Sequence, residues 1–396
     1  MMKTGRFSYA LMLGALTALG PLCTDFYLSS LPELTRQLNA STASGQLTLT
    51  AALAGLGVGQ FVFGPLSDRI GRKIPLLVSL LLFCLASLWC AWTDDMAQLI
   101  AARFFQGVAG AGGAVLSRAI ARDLYDGTAL TRFFALLMTI NGIAPVVAPV
   151  LGGLQLSITS WRGLFISLAA VGALLLLLAW RVLPETRSGP RNATASSGSG
   201  SVFGDRTFML LCLLQGFMMA GLFAYIGASS YIFQQAWQLS ALQYSCTFAV
   251  NGVGLVIFSL LLARVSVRWG ESAVLSAALP LAVIFALLLL LTFLLQGPLW
   301  LIIAVLFFTV SINSGICTLA SSVAMQRQGE SSGTASAWMG MLMFAMGGVS
   351  APLTGIGGTS GVSMSVVLLG GYLLALACYL AVRTAVATQV GASRQL

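Results

Sequence analysis

Apolar residues in this chain come in runs of about twenty, separated by short polar breaks. At 1.5 Å rise per residue, about twenty apolar residues make a helix long enough to cross a bilayer's hydrocarbon core. Twelve such runs fall at roughly 8–30, 44–66, 74–93, 97–120, 132–156, 161–182, 207–233, 241–264, 272–294, 299–322, 332–356 and 361–385, with the last two split at Gly357-Gly358-Thr359-Ser360-Gly361. The pattern predicts an all-α membrane protein of twelve transmembrane helices. The first run follows Lys3 and Arg6, but it contains Pro21 and Asp25 and lacks an Ala-x-Ala-type exit. It is too long for a leader's apolar core and reads as a retained helix.

Composition agrees: 58% of residues are hydrophobic and 8% charged, against about 25% charged in soluble domains. Basic residues then set the orientation. With an inside N-terminus, Lys3, Arg6, Arg69, Arg72, Lys73, Arg118, Arg122, Arg132, Arg181, Arg187, Arg191, Arg206, Arg264, Arg268, Arg327, Arg383 and Arg394 face one side, Arg36 and Arg162 the other, and Arg103 lies within a span. That asymmetry predicts two cytoplasmic termini. The net charge of +9 is then an inner-leaflet charge, and without a run of five basic residues it implies no nucleic acid. The seven Cys fall within spans with no CxxC spacing, and the chain has no His. Disulfides, a metal site and a His-based proton relay are not expected.

A polar stretch from Pro184-Glu185-Thr186-Arg187 to Arg206, including Ala195-Ser196-Ser197-Gly198-Ser199-Gly200-Ser201, divides six spans from six. Ser and Gly at that density form a flexible linker. The predicted organisation is a six-helix half over 1–183, a cytoplasmic linker over 184–206 and a six-helix half over 207–396. The sequon Asn192-Ala193-Thr194 carries no weight on the cytoplasmic side. A weak repeat places Arg264–Trp269 opposite Arg69–Lys73 at an offset of about 195 residues, with Ala263 opposite Asp68. Paired six-span halves suggest substrate binding near the midplane.

Five constellations stand out. Asp25 is the only acidic residue inside the spans as drawn, five to seven residues before an outer end near Ser30–Pro32. A buried carboxylate is costly unless solvated or paired, which makes Asp25 a candidate for reversible protonation. The plainer reading places it at the wet interface. Arg103, in the fourth span at a similar depth, is its natural partner, the plainer reading being an Arg that snorkels outward. At the other face, Gly64-Pro65-Leu66-Ser67-Asp68-Arg69-Ile70-Gly71-Arg72-Lys73 is a tight charged loop. There Asp68, Arg72 and Asp123 form a candidate conformational switch, with Arg72 pairing Asp123 and Asp68 capping the helix near Ser331-Ser332-Gly333-Thr334. Otherwise the loop charges only fix topology.

The fifth span carries Pro145, Ala148, Pro149, Gly152 and Gly153: prolines bend a helix and glycines let a neighbour approach closely. Last come the amides within spans, Gln60, Asn141, Gln215, Asn251 and Asn313. With Tyr27, Met218, Met219, Tyr225 and Trp338 they are candidates for lining a substrate cavity, although most such residues pack.

Several of these stretches resemble a known family. The Gly64–Lys73 loop resembles the loop between helices 2 and 3 of major facilitator superfamily transporters. Thr24-Asp25-Phe26-Tyr27-Leu28 with Leu31-Pro32, Gln60 through Lys73, Arg103-Phe104-Phe105-Gln106-Gly107 with Arg122-Asp123-Leu124-Tyr125, and Ala148-Pro149-Val150-Leu151-Gly152-Gly153 resemble signatures of the drug:proton antiporters of the Bcr/CflA family. Ala148 stands where many members have Gly, a departure in the antiporter motif. The resemblance implies the major facilitator fold and proton-driven export of small organic molecules such as antibiotics. It also implies a bacterial inner-membrane location, with Asp25 and Arg103 coupling protons.

No nucleophile or metal constellation points to an enzyme, and no cofactor is expected beyond the proton as coupling ion. The expected partners are a small-molecule substrate, protons and the lipid bilayer, with the chain a monomer. A proton-coupled importer of a small metabolite or nucleoside would share the fold. A receptor would leave Asp25 and the fifth-span motif without a role.

Overall fold

The computed structural model describes residues 2–125, 127–186, 204–326, 332–356 and 358–393. Among the described residues every regular element is helical. In chain order these are α1 (Met2–Asp25), a 3-10 turn (Leu28–Ser30), α2 (Leu31–Gln37), α3 (Thr42–Ile70), α4 (Lys73–Trp92), α5 (Met96–Leu124), α6 (Gly127–Leu156) and α7 (Trp161–Val182). Then follow α8 (Arg206–Tyr231), α9 (Ala241–Trp269), α10 (Glu271–Leu294), α11 (Leu299–Gln326), α12 (Ser332–Leu353) and α13 (Gly361–Ser393). Ten described segments are long and apolar enough to cross a membrane, and α6 and α12 carry the shorter apolar stretches Gly142–Leu156 and Trp338–Leu353.

Polar side chains start several helices. Ser41 Oγ accepts from the Ser44 N–H at 3.1 Å, Asp95 from Gln98 at 3.1 Å, and Asp205 from Thr207 and Phe208 at 2.9 and 3.1 Å. Each satisfies an amide that the first turn leaves unpaired. Asp205 places the start of α8 at Arg206, the last residue of the expected linker, whose residues 187–203 lie outside the described residues.

The helices group into two packing units. The first comprises Met1–Arg191 with Phe233–Ala249, and the second Asn192–Ile232 with Val250–Leu396. The segment 233–249 therefore packs with the first six spans rather than with its sequence neighbours. Gln234 Nε2 donates to the Ser29 carbonyl at 2.9 Å. A Cβ placed on Gly153 would meet the Ser245 side chain and, at 3.1 Å, the Ala241 carbonyl.

Within the first unit, α3 and α5 lie backbone to backbone: a Cβ on Gly55 would strike the Phe104 carbonyl, and one on Gly107 the Ala52 carbonyl. Small residues allow this approach, which replaces the hydrophobic drive that lipid removes. Within the second unit, α8 packs on α11, α12 and α13, and α10 on α11 and α13.

Candidate functional site

The first span is broken at Asp25. α1 ends at Asp25, the chain makes a 3-10 turn, and α2 restarts with Pro32 in its first turn, where a missing N–H costs nothing. Beyond the expected outer end near Ser30–Pro32 the helical path continues through the polar turns of α2 to Gln37. Glu33 lies in the first turn of α2. The Glu33 carboxylate accepts from Gln37 at 2.9 Å and is half-buried. Among the described residues Asp25 is the one buried carboxylate, 8% exposed.

Arg103, on α5, is 0% exposed, so it does not snorkel. Its Nη2 donates to the Cys23 carbonyl at 2.7 Å and its Nη1 to Gln106 Oε1. The guanidinium lies 4.1 Å from the Tyr27 ring centroid and 5.6 Å from that of Phe165. Its Nε has no hydrogen-bond partner. Gln106 in turn donates to Ser87 Oγ at 2.7 Å, and the Tyr27 hydroxyl shares a 3.0 Å hydrogen bond with Thr48. None of the described ion pairs joins Arg103 to Asp25. In this structure the guanidinium is anchored two residues before Asp25, on the Cys23 carbonyl, and lies over the Tyr27 ring.

α6 holds the break from another side. The helix continues through Pro145 and Pro149, with Ala148 buried. A Cβ on Gly152 would collide with the carbonyl of Phe26, the residue after Asp25. Residues 23–26 are thus gripped by Arg103 on α5 and touched by the bare backbone of α6. A carboxyl at that position sits between two helices whose movement would change its surroundings.

At the opposite end of this unit, α3 stops at Gly71, whose φ of +96° suits a residue without Cβ. Arg72 Nε donates to Asp123 at 3.0 Å, and its Nη1 donates to Asp68 and Ser67, both at 2.7 Å. Partial burial works against the Arg72 charge, but the Asp68 and Asp123 carboxylates more than offset it and hold the guanidinium above its ordinary range. Arg69 is exposed, and a Cβ on Gly64 would meet only Val115 at 3.9 Å, so packing does not require glycine there. Ser331 and the side chains of 332–334, the expected target of Asp68, lie outside the described residues.

Sequence reasoning missed Glu185. Its carboxylate accepts from the backbone N–H of Arg72 at 2.8 Å, of Lys73 at 3.1 Å and of Thr186 at 3.1 Å, capping α4. A Cβ on Gly71 would lie 2.6 Å from it, and Thr186 Oγ1 donates to Asp123 at 3.3 Å. The available signal is an acid three residues beyond the end of a basic-ended helix, which on its own reads as the onset of the linker.

The second unit presents a related turn with different chemistry. Gly71 and Gly270, Arg72 and Glu271, and Asp123 and Ser322 are each 199 residues apart, and Gly270 also has positive φ, +82°. Glu271 accepts from Ser322 at 2.6 Å and from Gln326 at 2.9 Å, just as Arg72 reaches the end of α5. The repeat register of about 195 is corrected to 199, so Val267 rather than Ala263 stands opposite Asp68.

The candidate cavity residues fall into separate environments. Tyr27 belongs with Arg103, as above. In the second unit Asn251 Nδ2 donates to the Tyr225 hydroxyl at 2.8 Å, and Asn313 Nδ2 to the Met218 carbonyl at 2.7 Å and the Tyr372 hydroxyl at 3.2 Å. Gln215 donates to the Cys317 carbonyl at 3.2 Å and to Ser321. Met218 is buried, Met219 half-buried, and Trp338 packs against the apolar cluster of Phe208, Leu211, Ala324 and Met339. Gln60 is half-buried, and the Asn141 side chain lies outside the described residues.

Helices of this length and apolar character define a multi-pass membrane protein. The sequence model of the Major Facilitator Superfamily matches residues 13–352, and the chain belongs to that superfamily. An uncharacterized MFS-type transporter of Bacillus subtilis, YdgK, is 39% identical over 371 residues, covering 92% of each chain. A bicyclomycin resistance protein homolog of Haemophilus influenzae is 30% identical over 357 residues, covering 88% of each. Among solved structures, a bacterial homolog of the human lysosomal transporter Spinster, inward-facing and unoccupied, matches with a TM-score of 0.77 at 14% identity. That match covers 97% of this chain and 98% of the other, and it shows the shared fold.

Proposed function

We propose that this protein is a proton-coupled antiporter that exports small organic molecules, antibiotics among them, across a bacterial inner membrane with both termini in the cytoplasm. The observation that carries the reading is the buried Asp25 at the break of the first span, with Arg103 anchored on Cys23 and Gly152 seated on Phe26. A carboxyl in that position can take up and release a proton as the helices around it move. The 30% identical relative named for bicyclomycin resistance supports export of an antibiotic-like molecule. The strong asymmetry of basic residues supports the orientation.

The test is drug tolerance and proton-dependent drug efflux in a pump-deficient bacterium expressing the chain. Expression should raise tolerance, and an imposed pH gradient should drive drug movement in inverted vesicles. Asp25→Asn, which keeps size and polarity, should abolish the gradient-driven movement. Wild-type efflux by that variant removes Asp25 from the mechanism, and increased drug accumulation in expressing cells replaces export with import.

A further inference from the structure

Among the described residues, helices of the second unit bury three acceptor oxygens without a partner: Gln215 Oε1, Asn251 Oδ1 and Ser311 Oγ, of which the last two lie on α9 and α11. A serine or threonine inside a helix ordinarily turns its hydroxyl back onto a carbonyl three or four residues earlier. This unit follows that habit at Thr292, Thr309, Ser321, Ser350 and Ser365. Ser311, on α11, does not: it is fully buried and its Oγ has no partner. Asn251, on α9, spends its amide N–H on Tyr225, and its equally buried Oδ1 has no partner either.

Asn251 and Ser311 lie where α9 and α11 meet. Gly254 follows Asn251 by three residues and so shares its helix face. A Cβ on Gly254 would run into Ser311 Oγ and approach the Phe307 ring, so α9 and α11 meet closely there. Asn251 lies ten residues into α9 and Ser311 twelve residues into α11. At ~1.5 Å per residue these are depths of roughly 15 and 18 Å, about halfway through a ~30 Å hydrocarbon layer. An unpaired polar oxygen at that depth is destabilising unless something brings it a donor.

We propose that Asn251 Oδ1 and Ser311 Oγ form an acceptor subsite for the N–H or O–H groups of an uncharged transported molecule, with Tyr225 fixing the Asn251 amide. The proposal rests on the export reading above and specifies the chemistry of its substrate. An uncharged donor fits because the described acids of this unit, Asp205 and Glu271, sit at the first turns of α8 and α10 and are hydrogen-bonded there. A buried cation beside Asn251 would find dipoles but no carboxylate, whereas an amide or hydroxyl is matched by one acceptor.

The test uses the purified full-length chain and two probes: chloramphenicol, an uncharged molecule with amide and hydroxyl donors, and tetraphenylphosphonium, a lipophilic cation with neither. Ser311→Ala should weaken chloramphenicol binding about 5- to 10-fold, as loss of one buried hydrogen bond does. Tetraphenylphosphonium binding should not change, and thermal stability should hold or rise because alanine removes an unpaired polar atom without adding volume. Asn251→Leu should act on chloramphenicol in the same direction; if it does not fold, Ser311→Ala alone carries the test. Unchanged chloramphenicol binding in Ser311→Ala, an equal loss for both probes, or a wild type that binds only the cation overturns the subsite while leaving export standing. A wild type that neither binds nor exports either probe overturns export and the subsite with it.

Discussion

A charge inside an apolar run is visible in a sequence because it is rare and costly, so Asp25 and Arg103 stand out from the amino-acid pattern alone. Their relation does not. Equal depth on two helices permits a direct pair, but the guanidinium instead bonds the Cys23 carbonyl and Gln106 and lies over Tyr27. Those partners become apparent only when α1 is seen to break at Asp25, which frees carbonyls that an unbroken helix would use. A lysine has neither the planar fork nor the stacking face of Arg103. Arg103→Lys should therefore reduce transport at least 10-fold although the charge is kept, as measured by efflux in vesicles normalised to protein level. The two residues should also couple: Asp25→Asn with Arg103→Lys should be little worse than Asp25→Asn alone. Additive losses would assign Arg103 to packing or drug contact.

At the scale of elements, helix positions are legible from run length, while their ends and contacts are decided by single residues that run length ignores. Pro32 restarts a helix where the sequence suggests an end. Glu185 caps α4 from more than a hundred residues away, a contact no local pattern announces. Glu185→Gln should speed hydrogen exchange at the Arg72 and Lys73 amides and lower stability by about 1 kcal/mol, the usual worth of a helix cap. Unchanged exchange there would mean another group caps α4. The two glycine motifs also part company. Gly152→Val drives a side chain into the Phe26 carbonyl, whereas Gly64→Ala meets only Val115 at 3.9 Å. Transport assays on both should find the first severely impaired and the second near wild type, and equal impairment would show that motif membership, not contact, governs the outcome.

For the whole molecule, composition and periodicity settle the class of protein, and a shared turn relates its two units. Aligning the arginines misregisters that turn by four residues, because the backbone aligns the positive-φ glycines, Gly71 with Gly270. In that register the first unit ties its turn to the end of α5 with the ion pair Arg72–Asp123, 3.0 Å. The second unit ties its turn to the end of α11 with Glu271 and the neutral Ser322, 2.6 Å. The geometry is repeated while the charge is not, and this makes the relation testable by exchange. Ser322→Asp alone would set a carboxylate against Glu271, and like charges at hydrogen-bond distance repel. It should lower thermal stability. Adding Glu271→Arg should rebuild the arginine–aspartate pair of the first unit and recover about 1 kcal/mol, the scale of a partly exposed ion pair. Recovery in the double variant requires that the two positions face each other as Arg72 and Asp123 do. If the double variant melts no higher than Ser322→Asp, the 199-residue register describes the backbone turn but not the side-chain contact built on it.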